Sequence, residues 1–148
     1  MSKAEDFLTQ KEEDEVVEAI RQAELNTSGE IRVHLEQHAS IDVFERAVEV
    51  FDFLHMDNTK RSNGVLIYVA VEDRELVIMG DKGINDIVGP MFWESTKNTI
   101  VDHFKQGEMS KGLIDGILMA GQQLKKHFPY KKGDINELPN AISVGPSV

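Results

Sequence analysis

The residues with most scope for chemistry lie in two short polar stretches. The first, His55-Met-Asp-Asn-Thr-Lys-Arg-Ser-Asn63, holds Asp57, Asn58 and Asn63. The second, Gly80-Asp-Lys-Gly-Ile-Asn-Asp-Ile-Val-Gly89, holds Asp81, Asn85 and Asp86. All six offer side-chain oxygen, the donor that hard cations such as calcium and magnesium take several at a time. The spacing is not that of an EF-hand. Asp and Asn are equally the residues of tight turns and helix N-caps. The residues alone leave both readings open.

Gly80-x-x-Gly83, expected between a strand and a helix, can also be read as a backbone cradle for phosphate. It lacks the Gly-Lys-Ser/Thr ending of a P-loop and the third glycine of a dinucleotide fingerprint. Asp81 and Asp86 would repel a phosphate unless a cation stood between them; with one there, a phosphate ester could be drawn in and polarised. Asp81 would then be a ligand or a nucleophile, although no Asp-x-Asp pair or Ser/His/Asp spacing supports catalysis. The simpler reading is a loop that needs glycine's backbone freedom. His34, His38, His55, His103 and His127 show no i, i+4 pair of the helical zinc type and read as surface or packing residues. Phe92 and Trp93 are adjacent, so one is expected in the core and the other over a neighbouring helix.

Composition removes several classes of function. The chain has 148 residues, 41% of them apolar, the size of one domain with a full core. Its formal net charge is −10 and its basic residues cluster only in pairs, so neither nucleic acid nor an anionic membrane surface is an expected partner. There is no cysteine, which excludes disulfides, thiolate metal sites and thiol nucleophiles. No apolar run approaches the ~18 residues of a membrane span, and the first residues lack the apolar core of a signal peptide. The expected location is cytoplasmic.

The elements that must position these residues follow from periodicity. Thr9-Gln-Lys-Glu12 is a capping box opening a helix with Val16, Val17, Ala19, Ile20 and Ala23 on its apolar face and Glu12 to Glu18 acids on the other. That acidic face reads as solvated, with a basic partner as the minority reading. Glu30 to Gln37 alternates as a half-buried strand, with Glu30, Arg32, His34 and Glu36 turned outward. Ser40 or Asp42 caps a second helix. Val65 to Val71 is a continuous apolar run, a central strand covered on both faces, and the turn Glu72-Asp-Arg74 leads into a hairpin partner at Glu75 to Met79. The stretch 80–89 reads as loop. Pro90 opens a helix running to about Phe104, Gly107 breaks it, and Ser110 caps a last helix that stops at Phe128 before Pro129. Residues 5–128 form the domain, and 129–148 a tail lying on the surface or partly disordered, in which Ala141 to Val144 can add an edge strand. Helices alternating with strands indicate an α/β layered domain with a central sheet.

Several segments together resemble the TPM family: Ser28-Gly-Glu-Ile-Arg-Val-His34, Asn63-Gly-Val-Leu-Ile-Tyr-Val-Ala70, Gly80-Asp-Lys-Gly-Ile84, Phe92-Trp93, Phe104-x-x-Gly107, Gly112-Leu113, Gly116-Ile117, Gly121, His127-Phe-Pro129 and Asn136-Glu-Leu-Pro139. The resemblance implies an αβα sandwich around a mostly four-stranded sheet. It also implies divalent-metal sites, typically calcium with magnesium as the alternative, in loops crossing near one end of the sheet. With it, Asp57, Asp81 and Asp86 become the expected ligands, with Asn58, Asn63 and Asn85 in support. The expected function is a non-catalytic, metal-responsive module. Family precedent supplies two alternatives, a metal-assisted acid phosphatase and a protein-interaction domain in assembly or repair.

Overall fold

A computed structural model describes residues 7–25, 27–59, 62–89, 91–130 and 142–145. Helix α1 spans Gln10–Glu24. Its capping box is formed in both directions: the Glu12 N–H donates to Thr9 Oγ1 at 3.1 Å and the Thr9 N–H to Glu12 Oε1 at 2.9 Å. Strand β1 is Glu30–Glu36. Helix α2, Val43–Phe53, is capped by Asp42 through the amides of Phe44 and Glu45. Strands β2, Gly64–Ala70, and β3, Glu75–Gly80, form the expected hairpin, and every residue of β2 is buried.

Helix α3, Lys82–Val88, occupies what the sequence reads as loop. Asp81 caps it, Ile84 is fully buried beneath it, and Gly89 ends it at φ 80°. One buried anchor and a cap here outweigh the poor helix propensity of Gly, Asn and Asp. Helix α4 is Glu94–Lys105 and α5 is Met109–His127, with Gly107 at φ 77° between them. Helix α5 begins without a side-chain cap, so Ser110 does not play the part its type suggests. Strand β4 is Ser143–Val144. Asn26, Pro90 and most of the tail lie outside the described residues.

The sheet order is β3-β2-β1-β4, with β1 parallel to β2 and to β4, and β2 antiparallel to β3. Strand alternation sends Ile31, Val33, Leu35, Val65, Ile67 and Val69 to one face, against α1, α4 and α5. Leu66, Tyr68 and Ala70 face the other way, against Ala47, Val50 and Phe51 of α2. The result is an α/β fold, helices over both faces of a four-stranded mixed sheet. Strand β1 departs from the sequence reading: Glu30, His34 and Glu36 are buried, not turned to water. Alternation of polar and apolar residues records polarity, and here the polar face is covered by α2 and β4. No described helix is long and apolar enough to cross a membrane.

Candidate functional site

Parallel pairing of β1 with β2 brings Glu30 opposite Gly64, and the hairpin brings Val65 opposite Gly80. The starts of β1 and β2 and the end of β3 therefore meet at one end of the sheet. The Asp81 N–H donates to the Gly64 carbonyl at 2.8 Å, which fixes the two predicted stretches against each other.

Asn63 is 1% exposed. Its N–H donates to Thr59 Oγ1 at 3.1 Å and its Nδ2 to Ser28 Oγ at 3.3 Å, leaving Oδ1 buried with no hydrogen-bond partner. Asp81 accepts the Lys82 N–H on Oδ1 at 2.7 Å, while its Oδ2 is also buried and without a hydrogen-bond partner. Glu24 reaches the same end from the last turn of α1 and accepts the Ile31 N–H at 2.8 Å. Burial pushes its carboxyl up to about 8; the Ile31 bond opposes the rise and neighbouring Glu30 adds to it. Glu30 is itself 3% exposed.

Of the six predicted residues, the fold thus brings Asn63 and Asp81 together. Asn85 joins the same end, but its Nδ2 donates to the Gly80 carbonyl at 2.7 Å and so clamps α3 to the strand. Asp57, Asn58 and Asp86 stand exposed on the surface. Among the described residues, no three Asp, Glu or His side chains are gathered as a metal cage. Glu24 and Glu30 are the additions that sequence reasoning missed. One ends a helix and the other starts a strand, and only the topology shows that they adjoin. Gly80 serves packing: a Cβ there would stand 2.6 Å from Ile84 Cγ2 and 3.0 Å from Asn85 Oδ1. The nearby indole Nε1 of Trp93 is buried with no hydrogen-bond partner, and Phe92 packs edge-on against that ring at 4.8 Å.

The opposite end of β1 carries a second polar cluster. Glu36 accepts Arg46 Nε at 2.8 Å, Arg46 Nη2 at 2.5 Å and the Tyr68 hydroxyl at 2.6 Å, and lies 3.3 Å from His34 Nε2. Burial alone would raise the Glu36 carboxyl, but the bonds from Arg46, Tyr68 and His34 hold it below the ordinary carboxylate range. His34 Nδ1 meets Ser143 Oγ at 2.8 Å, and the Gly145 N–H donates to the Leu35 carbonyl at 2.7 Å. All the donors converging on Glu36 are matched, so this cluster is a latch for β4.

An α/β sandwich with polar side chains gathered at the start of its parallel strands is the class these observations define. The profile of the TPM domain matches residues 1–123, and the chain belongs to the TPM domain family. The solution structure of BA42 protein, from the psychrophilic bacterium Bizionia argentinensis, is 63% identical and superposes with a TM-score of 0.89 over 94% of this chain and 96% of that one. The N-terminal domain of a protein from P. gingivalis shares the fold at 18% identity, with a TM-score of 0.68 over 84% of this chain and 83% of that one. No curated protein matches the chain.

Proposed function

We propose that this domain is a non-catalytic module that binds a calcium-type divalent cation at the sheet end where β2 begins and β3 stops. The supporting observation is the pair of oxygens, Asn63 Oδ1 and Asp81 Oδ2, both buried and both without a hydrogen-bond partner at that end. Leaving one buried polar atom unmatched costs about 1–3 kcal/mol, and coordination to a hard cation removes that cost. Asn63 and Asp81 would be the first ligands, with Glu30 beside them. Asp57, Asn58 and Asp86 would come in only by movement of the exposed segments that carry them. Bound, the ion would supply positive charge and fix the two crossing segments to each other. With so few carboxylates preorganised, the affinity belongs to the weak end of protein calcium sites, of order 10⁻⁴–10⁻³ M.

A calcium titration followed by ¹⁵N–¹H NMR tests this. Saturable shifts are expected at residues 57–63 and 80–86. Asp81→Asn keeps the helix cap but removes the charge, and should weaken binding about tenfold or more. Absence of saturable shifts at millimolar calcium, or unchanged affinity in Asp81→Asn, refutes the proposal.

A further inference from the structure

Helices α1 and α5 lie side by side and point the same way. Ser110 hydrogen-bonds the Glu12 carboxylate near their starts, and Gly121 packs against Ala23 further along. Their inner faces are core: Val16 and Ile20 of one and Leu113, Ile117 and Leu124 of the other are all buried. On the solvent side the two helices leave a groove of about 480 Å³. Ala19 is its floor, and Ile114 and Leu118, one turn apart on α5, are its apolar wall. Leu118 is 40% exposed. The other wall belongs to α1, where Asp14, Glu15 and Glu18 stand in a row, all exposed.

The charge on that wall is open to a partner. Glu15 makes no hydrogen bond or ion pair among the described residues, and Asp14 accepts only a neutral amide, from Gln10 at 2.9 Å. Glu18 is held by Arg21 at 2.7 Å, but both side chains are about half exposed, and a surface pair of this kind contributes little. Lys11, at the start of the groove, is the one base lining it. From Lys11 to Gln22 the groove runs about 16 Å at ~1.5 Å per helical residue, the length of about three turns. So open a trough buries too little of a small molecule. A helix laid along it would bury an apolar stripe and meet acid along one border.

We propose that this groove docks a basic amphipathic helix of another protein, with its apolar stripe on Ala19, Ile114 and Leu118 and its Lys or Arg residues along the border over α1. Apolar anchors at i, i+3 or i+4 and i+7 match such a groove. The charge is one-sided: the lining on α5 is only Ile114 and Leu118, so bases on that border gain nothing, and a base beside Lys11 is disfavoured. A second copy of this chain does not match. Its helix with an exposed apolar face is α2, through Phe44, Val48 and Phe53, and that helix carries Glu45, Glu49 and Asp52, the same sign as the groove. An anionic membrane is repelled by the net charge of −10. The reading is independent of the cation site, and its test is run without calcium.

The probe is acetyl-Ala-Leu-Lys-Lys-Leu-Leu-Lys-Ala-Leu-Lys-Ala-Leu-Ala-amide, whose leucines share one helical face with lysines on one border of it. Its control is a peptide of the same composition shuffled to remove the apolar face. Titrated into the chain in calcium-free buffer at physiological salt, the probe should give saturable ¹⁵N–¹H NMR shifts at residues 11–22 and 114–118, and the control should not. Leu118→Gln should weaken binding about fivefold or more. Glu15→Lys should weaken it by a similar factor, while Glu45→Lys on α2, with the same change of net charge, should stay within about twofold. Five results would overturn the proposal. These are equal binding of the shuffled peptide, shifts confined to other surfaces, unchanged affinity in Leu118→Gln, equal losses in Glu15→Lys and Glu45→Lys, and a dimer of the free protein that covers the groove. All three substitutions are at exposed positions, and the two peptides on the unsubstituted chain decide the matter if a variant fails to fold.

Discussion

Replacing Arg46 with alanine probes the buried cluster most directly. Glu36 has a side chain only 2% exposed, and two of its four partners are nitrogens of Arg46, whose own side chain is 23% exposed. Removing one member of a buried pair costs about 3–5 kcal/mol, because the remaining charge is stranded. Tyr68 and His34 stay in place, and the arginine end reaches water. We therefore expect the lower limit, about 3 kcal/mol. For a domain of this size each kcal/mol moves the melting temperature by roughly 2–4 °C, so Arg46→Ala should melt about 6–12 °C lower at pH 7, read by circular dichroism and urea midpoints. The pH dependence carries the sign. The folded-state pKa of Glu36 is depressed, so its contribution is present above the unfolded carboxylate value, near ~4.3, and is lost as pH falls through the folded value. The gap between parent and variant should therefore close in acid. A loss below about 1 kcal/mol at pH 7, or a gap that is unchanged at pH 3, would refute the reading of Glu36 as a buried carboxylate dependent on Arg46.

Two further outcomes follow from the packing. Glu24 titrates in the opposite sense: its folded pKa is raised to about 8, so the folded state holds the proton longer and stability should fall as pH rises from the ordinary carboxylate range toward 8. Glu24→Gln should flatten that slope, and equal slopes in urea midpoints measured across this window would count against the burial of its charge. Gly121→Val should destabilise by about 1–3 kcal/mol, because a Cβ at 121 would lie 2.7 Å from Ala23 Cβ and 3.0 Å from Ala23 Cα. Thermal melts would show it, with partial rescue by Ala23→Gly.

Much of this fold is written in local patterns. The capping box of α1, the continuous apolar run of β2 and the stop of α5 before Pro129 each have a near-neighbour cause, and each is where periodicity places it. The misreadings have non-local causes. Helix α3 depends on Ile84 finding a buried place, which no window of Gly, Asn and Asp discloses. The outward face of β1 looks solvated because Arg46, Tyr68 and Ser143, which satisfy it, stand 10, 32 and 109 residues from their partners on the strand. The candidate site divides in the same way. Asn63 and Asp81 are legible because strands begin and end at them; Glu24 and Glu30 are not, since their adjacency needs the parallel crossover from β1 to β2.

The two edges of the sheet are managed by different physics. A strand of two residues cannot hold its register by apolar burial, and β4 offers only Ser143 and a 43% exposed Val144. Its hold comes from directional bonds: Ser143 to His34, and the Gly145 N–H to the Leu35 carbonyl. Gly145 also lies against the carboxylate, where a Cβ would come within 2.3 Å of Glu36 Oε1, so the strand fits only while that position is glycine and Glu36 stays put. The β1 edge is thus closed by a latch whose strength is set by a buried charge. The β3 edge has no such strand among the described residues, and charged side chains flank it, Arg74 and Glu75 at its start and Glu94 and Lys97 beside it. Charge beside a strand is a usual guard against further pairing, so one edge is closed around a buried carboxylate and the other is bordered by Arg74, Glu75 and Glu94, all exposed.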